Sequence, residues 1–427
     1  MTKKHPPFYG WYIVAGAFLI LAVNYGTRYS FGIFLKPMSD EYGWSRSVVS
    51  LGVSFNMLAY SIFTIFIGQM VDRVRPLHII TAGTLAVSLG LVMVSFTTNP
   101  LFFYLMYGLF CGLGSAGLGI VVCISSVAKL FHQKRGVAVG IASMGISVGI
   151  MSLTPLSGYI AKTYGWRQGF LALAIVSFIV GTFVSRLFFR KSAGKACGET
   201  LEHKGAKEEK PSSSFFFSSF PRFFARFLVV DKQFWIISLS FGFAYLTIMS
   251  VFVHQVPYAI DLGISPLSAS SSLAFLSLAG LGGQLFFGWL TDRARDAKYV
   301  IAFGFLMMAL GMFILLNTRS VTTLYICSLI FGFGYGCMAP LPSIILAERF
   351  GDETLGSLYG MFTFLIGIGG SIGPFWAGHM HDHFQSYHQV WSINIVILVC
   401  VVGTILLLRP RKPVLTLSGK NSGKIEA

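Results

Sequence analysis

Gly68-Gln69-Met70-Val71-Asp72-Arg73-Val74-Arg75 is matched later in the same chain by Gly288-Trp289-Leu290-Thr291-Asp292-Arg293-Ala294-Arg295. The two strings are 288 − 68 = 220 residues apart, and the same offset superposes glycines elsewhere. The superposed pairs are Gly112 and Gly332, Gly114 and Gly334, Gly136 and Gly356, Gly140 and Gly360, Gly149 and Gly369, and Gly158 and Gly378. One offset that matches both charges and glycines over this length predicts two equivalent halves in parallel repeat.

The composition places this repeat in a membrane. The 427 residues are 54% hydrophobic and 11% charged, with a mean hydropathy of +0.71, whereas soluble domains carry roughly 25% charged residues. Twelve apolar stretches each approach the roughly 20 residues that cross a bilayer as a helix. We place them at 12–35, 47–71, 77–97, 101–129, 136–161, 166–189, 233–257, 266–290, 298–317, 321–348, 355–379 and 388–408. The sequence therefore predicts an all-α membrane protein with twelve transmembrane helices in two pseudo-symmetric halves of six.

The halves are separated by one charged segment of small residues. Residues 190–232 contain KSAGKACGETLEHKGAKEEKPSSS, a composition typical of a linker. We therefore divide the chain into an N-terminal half at 1–189, a cytoplasmic linker at 190–232, a C-terminal half at 233–409 and a cytoplasmic tail at 410–427.

The charges predict the orientation. All 16 acidic residues lie in loops or at span ends. With the N-terminus inside, 26 of the 32 Lys and Arg residues fall on the cytoplasmic side, which predicts cytoplasmic N- and C-termini. The net charge of +16 then describes loops that face anionic lipid, and we expect no nucleic-acid partner. We expect a monomer in a lipid bilayer, in a cell membrane that is a prokaryotic inner membrane.

Other classes of protein fit these residues less well. A membrane enzyme needs a nucleophile with a base, or a metal cluster, and the scattered cysteines and the isolated His254 supply neither. We therefore expect no enzymatic activity, no metal and no cofactor. A cation or drug exporter normally uses a membrane carboxylate, and none appears in mid-span.

The duplicated string resembles the signature loop of the major facilitator superfamily. Its copies lie between spans 2 and 3 and between spans 8 and 9, and the twelve spans and the long middle loop are similar too. The resemblance covers essentially the whole chain and implies the major facilitator fold. In that family this loop governs conformational switching, which assigns gating roles to Asp72, Arg73, Arg75, Asp292, Arg293 and Arg295. Topology anchoring by positive charge is the simpler reading, and it explains the arginines but not the aspartates.

Shorter motifs resemble one branch of the superfamily, the monocarboxylate porters and oxalate/formate antiporters. They are YGW at 9–11, KLFHQKRGVAVG at 129–140, VHQVPY at 253–258 and GPFWAG at 373–378. This resemblance implies transport of small organic anions. Members of the branch often carry an arginine in span 8 with an aspartate one turn earlier, and those places hold Gln284 and Gly280 here. A lysine near the end of span 1 is another anchor of the branch; Tyr29 stands at that position and Arg28 immediately before it.

Arg28 is the strongest candidate for substrate binding. It lies 17 residues into span 1, about 25 Å along a helix, where a charge costs several kcal/mol unless it is paired or hydrated. Because no membrane carboxylate is available, a substrate carboxylate is the expected partner, and guanidinium binds carboxylate bidentately. Asn24 and Tyr25 lie on or beside the same helix face. The alternative is that Arg28 snorkels to the outer interface.

Further polar candidates lie in other spans. Gln284 and Tyr335 join the predicted substrate site, although Gln284 is equally suited to bridging helices. Asn56, Tyr245 and Ser343 are weaker candidates, better explained as helix packing contacts.

His254, near the outer end of span 7, is the candidate for proton coupling, because its unperturbed pKa of about 6.5 suits a protonatable group. The alternative is a histidine hydrogen-bonded between packed helices.

Together these residues predict a secondary transporter of small organic anions such as lactate, pyruvate or formate. Either proton symport or exchange against a counter-anion would balance the charge. A dicarboxylate or aromatic acid is the nearest alternative substrate, and a drug or metabolite exporter is a more distant one.

Overall fold

The structure, a computed structural model, describes residues 7–71, 74–131, 135–186, 231–350 and 355–409. Within these ranges all regular secondary structure is helical. Twelve helical segments are long and apolar enough to cross a membrane. In chain order these spans 1 to 12 are Gly10–Tyr42, Arg46–Gly68, Pro76–Ser95, Pro100–Val127, Ala138–Tyr164, Trp166–Val184, Lys232–Asp261, Pro266–Thr291, Ala297–Leu316, Val321–Phe350, Leu358–Phe384 and His388–Leu406. The prediction of an all-α, multi-pass membrane protein is confirmed.

Most spans are single helices, and three are interrupted. Span 1 consists of Pro7–Tyr29 and Phe31–Tyr42, with a turn at Ser30. Span 4 consists of Pro100–Phe103, a π-helix at Tyr104–Phe110, Cys111–Gly117 and Ile120–Leu130, and span 10 of Val321–Tyr335, a 3₁₀ turn at Gly336–Met338 and Leu341–Phe350. The uninterrupted helices are Arg46–Met70, Pro76–Ser95, Arg135–Tyr164, Trp166–Val184, Lys232–Asp261, Pro266–Thr291, Ala297–Leu316, Leu355–Phe384 and His388–Leu406. Spans 4 and 10 are equivalent in the repeat, and both are interrupted near the same position, whereas the π-helix occurs in span 4 and not in span 10.

Several helices begin at side chains that satisfy their free backbone N–H groups. Each of these residues accepts a hydrogen bond from an N–H in the first turn of its helix. They are Ser45, Asn99, Asp231, Ser265, Asp296 and Ser320. These short polar residues mark the span boundaries that hydropathy alone locates only within a few residues.

Span 1 is longer than its hydropathy predicts. The apolar stretch ends at residue 35, whereas the helix continues to Tyr42. The added turns carry Lys36, whose Nζ lies 3.1 Å from Oδ1 of Asp261 at the end of span 7. The extension of span 1 therefore carries a charge that pairs with the end of span 7.

The duplicated glycines mark places where helix backbones touch. A Cβ at Gly149 would collide with the carbonyl of Ala22, which brings span 5 against span 1. At the equivalent Gly369, a Cβ would collide with the carbonyl of Gly242, which brings span 11 against span 7 in the same way. Since lipid gives helices no hydrophobic reason to associate, such close backbone approaches supply the packing.

The backbones of the two halves pack closely together at one end of the bundle. We call the end near Pro7 the terminal end, and the opposite end, where span 1 finishes, the far end. Toward the far end, a Cβ at Gly32 would lie 2.8 Å from the carbonyl of Phe252, and one at Gly378 would lie 2.9 Å from the carbonyl of Arg46. Both contacts join opposite halves, so the far end is closed.

Four glycines toward the terminal end have space beside them. Each would accept a Cβ with no described atom outside its own helix turn closer than 3.7 Å. They are Gly68, Gly140, Gly288 and Gly360, from spans 2, 5, 8 and 11. Spans 2 and 11, which are in contact at the far end, are therefore not tightly packed at these positions, and neither are spans 5 and 8.

The predicted linker at 190–232, apart from its last two residues, lies outside the described residues, as does the predicted tail at 410–427. The division into these four segments remains a prediction.

Candidate functional site

Arg28 lies at the point where span 1 is interrupted. It occupies the last turn of the first helix, and the turn at Ser30 follows directly. The Ser30 hydroxyl donates to the carbonyl of Gly26 at 2.7 Å, which satisfies a helix-end acceptor next to the break. Interrupted spans are typical of transporter binding sites. The break therefore coincides with the residue that the sequence predicts to bind substrate.

The guanidinium of Arg28 is held by neutral groups. Its Nε donates to Oδ1 of Asn56 at 3.1 Å. Its Cζ lies 4.2 Å from the ring centre of Tyr60 and 5.8 Å from that of Tyr25. Within the described residues, neither terminal guanidinium nitrogen has a hydrogen-bond or carboxylate partner. Arg28 is only partly buried, so a full positive charge remains accessible at membrane depth.

Tyrosines surround this charge and bridge the two halves. The hydroxyls of Tyr25 and Tyr60 are 2.9 Å apart. Tyr29, from the N-terminal half, places its hydroxyl 3.3 Å from that of Tyr245 in the C-terminal half. Because hydroxyls both donate and accept hydrogen bonds, they suit a carboxylate or a neighbouring polar group of a substrate.

An aromatic stack continues from Tyr29 into the C-terminal half. Its ring stacks on Phe252 with centres 4.4 Å apart, and Phe252 packs edge-on against Tyr335 at 5.6 Å. The structure therefore links Tyr335 to span 1 through Phe252. It places Tyr335 beside Phe252 and does not show a direct contact with Arg28.

Two other predicted binding residues lie differently. Asn24 is 1% exposed and donates through Nδ2 to the carbonyl of Ser115 in span 4 at 3.1 Å. It therefore packs within its own half in this conformation, and its Oδ1 is buried with no hydrogen-bond partner among the described residues. The side chain of Gln284 is partly exposed and makes no hydrogen bond to the described part of the chain.

His254 is fully buried and does not face open space in this conformation. Its Nε2 lies 2.9 Å from the carbonyl of Pro374 and 3.1 Å from the hydroxyl of Ser50, and its Nδ1 lies 2.8 Å from the hydroxyl of Tyr387. A carbonyl can only accept, so Nε2 carries a hydrogen and Nδ1 of the neutral ring accepts from Tyr387. The histidine thus joins span 7 to spans 2 and 11, the hydrogen-bonded arrangement that the sequence left as the alternative.

An ion pair closes the far end between the halves. Nη2 of Arg46, at the start of span 2, lies 2.6 Å from Oδ2 of Asp261, at the end of span 7. Nζ of Lys36 reaches the other oxygen of the same carboxylate. The Arg46 side chain is 11% exposed and that of Asp261 is 28% exposed, so this pair is partly shielded from water.

A second carboxylate caps span 2 from the opposite half. Asp382, near the end of span 11, accepts from the backbone N–H of Arg46 at 3.0 Å and of Ser47 at 2.7 Å. Nη1 of Arg46 also donates to the hydroxyl of Tyr387 at 2.7 Å. Burial raises the pKa of the Tyr387 phenol above its ordinary value, so Tyr387 stays a neutral donor to His254.

The predicted gating loops at the terminal end are described in part. Asp72 and Arg73 lie outside the described residues. Arg75 is the N-cap residue of span 3, and Arg295 makes no ion pair with another described residue.

Near the second loop, an ion pair is formed by an aspartate that lies outside the motif. Asp292 has no ion-pair partner within the described ranges, and Arg293 lies with Cζ 4.2 Å from the ring centre of Trp289. Asp296, just after the motif, binds Arg349 through both carboxylate oxygens, with one Nη2–Oδ2 distance of 2.7 Å. Both residues belong to the C-terminal half, so this pair does not join the halves.

Sequence reasoning missed Tyr60 and the far-end pair, and it gave Asn56 only a minor role. Tyr60 looks like an ordinary aromatic residue of an apolar span, and nothing local indicates that it covers a charge. The available signal for Asn56 was that it is a polar residue inside an apolar span. Arg46 and Asp261 each looked like ordinary loop charges. Among the described residues no group of three or more His, Cys, Asp or Glu side chains is arranged to hold a metal.

The chain matches the model of the major facilitator superfamily over residues 17–374 and again over 247–425. It is 22% identical to monocarboxylate transporter 13 of Rattus norvegicus over 419 residues, covering 95% of this chain and 91% of that protein. It is 27% identical to monocarboxylate transporter 12 of Homo sapiens over 402 residues, covering 89% and 76%.

A solved structure has the same fold. It is a bacterial homologue of the human lysosomal transporter Spinster, in an inward-facing and unoccupied conformation, with a TM-score of 0.73 and 16% identity. The superposition covers 94% of this chain and 97% of that one. The chain therefore belongs to the major facilitator superfamily, resembles the monocarboxylate porters within it, and is a membrane transporter and not an enzyme.

Proposed function

We propose that this transporter carries small organic monoanions, such as lactate, pyruvate or formate, across the membrane by alternating access. The observation that carries the proposal is the guanidinium of Arg28, which is accessible at membrane depth and has no carboxylate partner among the described residues. An uncompensated charge at this depth is costly and marks a substrate path. A substrate carboxylate would bind both terminal nitrogens and neutralise it.

The single charge supports a monoanion over a dianion. Among the described residues, the side chains that contact Arg28 are the neutral Tyr25 and Tyr60 and the amide of Asn56. A dicarboxylate would bring a second charge with no partner of opposite sign, and this costs affinity. The names of the relatives, monocarboxylate transporters 12 and 13, agree with this substrate class.

Each candidate binding residue has a role in this proposal. Tyr25 lies beside the guanidinium and offers its hydroxyl, and Tyr335 supplies a wall from the C-terminal half. Gln284 offers an amide that is free to bind a polar group of the substrate. Asn24 would support span 1 in this conformation and reach the substrate only after span 1 moves.

The rings also favour one alternative substrate class. Tyr25, Tyr29 and Tyr60 present aromatic faces within one region, and such faces stack on a flat ring. An aromatic monocarboxylate such as benzoate is therefore the second candidate.

Alternating access requires a site that opens to one side at a time. The far end is closed by the pair of Arg46 and Asp261, while glycines of four spans have space beside them at the terminal end. With the predicted orientation, this is a conformation open toward the cytoplasm. In the opposite conformation the loops that carry Asp72 and Asp292 would close the terminal end.

Charge balance requires a coupled ion. Symport with a proton and exchange against another anion both neutralise the monocarboxylate. His254 is the proposed proton-coupling residue, since its hydrogen bond with Ser50 joins the halves and breaks when the far end opens.

The test is uptake of labelled lactate, pyruvate, formate, oxalate and benzoate into proteoliposomes, with and without a pH gradient. We expect uptake of one or more monocarboxylates, and a loss of at least about tenfold in Arg28→Gln, since charged hydrogen bonds contribute about 1.5–3 kcal/mol. Arg319→Gln is the matched control, because Arg319 is exposed in a far-end loop. Unchanged uptake by Arg28→Gln would show that this arginine does not bind substrate.

A further inference from the structure

Asn56 connects Arg28 to the backbone of another span. Its Nδ2 donates to the carbonyl of Tyr107 in span 4 at 2.8 Å, and its Oδ1 accepts from Nε of Arg28 at 3.1 Å. A carbonyl only accepts, so the NH₂ group must face Tyr107 and the amide oxygen must face Arg28. The direction of the amide is therefore determined by the backbone, and Asn56 is 2% exposed.

The irregular turn of span 4 frees the carbonyl that Asn56 binds. Residues Tyr104–Phe110 form a π-helix, and the N–H of Cys111 donates to the carbonyl of Met106. In an α-helix that N–H would donate to Tyr107, four residues earlier. π-helical turns occur frequently at functional sites. Here the turn leaves the Tyr107 carbonyl for the amide of Asn56.

This arrangement fixes the guanidinium without cancelling its charge. Asn56 holds the Nε edge and the ring of Tyr60 lies 4.2 Å from Cζ, so the two terminal nitrogens are left as the unoccupied edge. A neutral amide accepts one hydrogen bond and leaves the net charge at +1. A carboxylate in the same place would also bind Arg28, but it could not donate to the Tyr107 carbonyl and it would compete with the substrate anion.

The repeat shows that the fold does not need this polar set. At an offset of 220 residues, the positions equivalent to Arg28, Asn56 and Tyr107 hold residues that form no such network. They are Ile248, Leu276 and Cys327. The helix contact itself is kept in both halves.

A Cβ at Gly112 would lie 2.8 Å from the carbonyl of Asn56, and a Cβ at the equivalent Gly332 would collide with the carbonyl of Leu276. The same glycine thus packs span 4 on span 2 and span 10 on span 8. Since the packing is common to both halves and the amide is not, the amide has a role other than packing.

We propose that Asn56 is a positioning residue, which orients Arg28 for the substrate carboxylate and preserves its charge. The inference rests on the proposed function, since it concerns the same arginine. The π-helical turn binds the Asn56 amide, and the amide holds Arg28 so that its two terminal nitrogens face a single substrate carboxylate.

The experiment measures KM and the maximal rate of uptake for whichever of the five labelled acids the wild type takes up most rapidly. Asn56→Leu copies the residue of the other half, and Asn56→Asp keeps the shape but adds a carboxylate next to Arg28. We expect KM to rise about tenfold in Asn56→Leu and about a hundredfold in Asn56→Asp, with the maximal rate nearly unchanged. Each variant is also combined with Arg28→Gln, where Asn56→Leu should have no further effect.

The outcomes separate the inference from the proposed function. If Arg28→Gln abolishes uptake while both Asn56 variants keep the wild-type KM, the inference is wrong and the proposed function stands. If Arg28→Gln has no effect, or the wild type takes up none of the five acids, the proposed function is wrong and the inference falls with it. Equal losses of maximal rate in both Asn56 variants, with or without Arg28, would indicate a purely structural role. Asn56→Ser is the reserve variant, and misfolding of all three would likewise mean that the fold itself needs Asn56.

Discussion

Arg46 and Asp261, which are 215 residues apart in the sequence (261 − 46), form an ion pair of 2.6 Å across the boundary between the two halves. Asp261 also binds Lys36, and the arginine also binds Tyr387. One carboxylate of the C-terminal half therefore holds two cations of the N-terminal half. A contact of this kind stabilises the conformation in which the far end is closed, and it must break before that end opens.

Asp261→Asn is expected to favour the open far end. The amide keeps the shape but loses the charge that holds two cations, and a partly exposed pair contributes up to about 1 kcal/mol. The measurement is the rate at which maleimide labels Ser54→Cys in a variant without native cysteines, because Ser54 accepts from the backbone of Phe375 in the closed interface. We expect labelling to become about fivefold faster.

Glu41→Gln is the matched control for this change. Glu41 lies at the same end of the molecule but pairs with Arg167 and accepts from Trp166, both in its own half. It should leave labelling unchanged. An equal acceleration in both variants would mean that general loosening, and not the contact between the halves, controls the far end.

The sequence alone predicted the architecture because the fold depends on patterns that local residues carry. Hydropathy located twelve spans, and the offset that matches Gly149 with Gly369 also matches the backbone contacts those glycines make. Both signals depend on size and polarity at single positions. Both signals can therefore be recognised without knowing which spans are in contact.

The site was predicted only in part because its partners come from distant spans. Arg28 was identifiable, since a charge in an apolar span is conspicuous. Whether Asn24 or Asn56 contacts Arg28 depends on the orientation of span 1 about its own axis relative to spans 2 and 4. The helix face that Asn24 and Arg28 share does not determine this orientation. The ion pairs of the far end were hidden because charged residues at span ends are common and each lies in a different loop.

Tyr60→Leu is expected to weaken substrate binding through Arg28. The Tyr60 ring lies 4.2 Å from Cζ of Arg28, and a cation–π contact of this kind contributes about 0.5–2 kcal/mol. Removing the ring should raise KM about fivefold while the maximal rate changes less. Tyr60→Phe keeps the ring and removes only the hydroxyl that binds Tyr25, so it should stay near the wild-type KM. If Tyr60→Phe loses as much affinity as Tyr60→Leu, the hydroxyl and not the ring is the important group.

Asp382→Ala is expected to loosen the far end by a different route. Its carboxylate accepts from the first backbone N–H groups of span 2, and removing such a cap costs about 0.5–2 kcal/mol. Spin labels at Thr163→Cys and His388→Cys, exposed at the far ends of opposite halves, report the separation. We expect the distance distribution to gain a longer component.

Asp40→Ala is the control, because it removes a mostly exposed carboxylate of the same end and should leave the distribution unchanged. If neither variant changes the distribution, the cap does not contribute to closure.

His254→Ala is expected to abolish stimulation of uptake by a pH gradient. In the closed far end both ring nitrogens are engaged, Nε2 with Pro374 and Ser50 and Nδ1 with Tyr387. An imidazolium would donate from both nitrogens, so it would lose the hydrogen bond that it accepts from Tyr387 of its own half. It would also be repelled by the positive charge of Arg46, which belongs to the opposite half and binds the same Tyr387 hydroxyl. Protonation therefore favours separation of the halves, and the histidine can exchange protons only when that separation exposes it.

Uptake driven by a pH gradient is compared with exchange uptake in proteoliposomes preloaded with the unlabelled acid. Loss of the first with retention of the second is the expected result. Ser50→Ala, which removes one partner and keeps the histidine, should retain both activities, and full pH-driven uptake by His254→Ala would remove this histidine from the coupling mechanism.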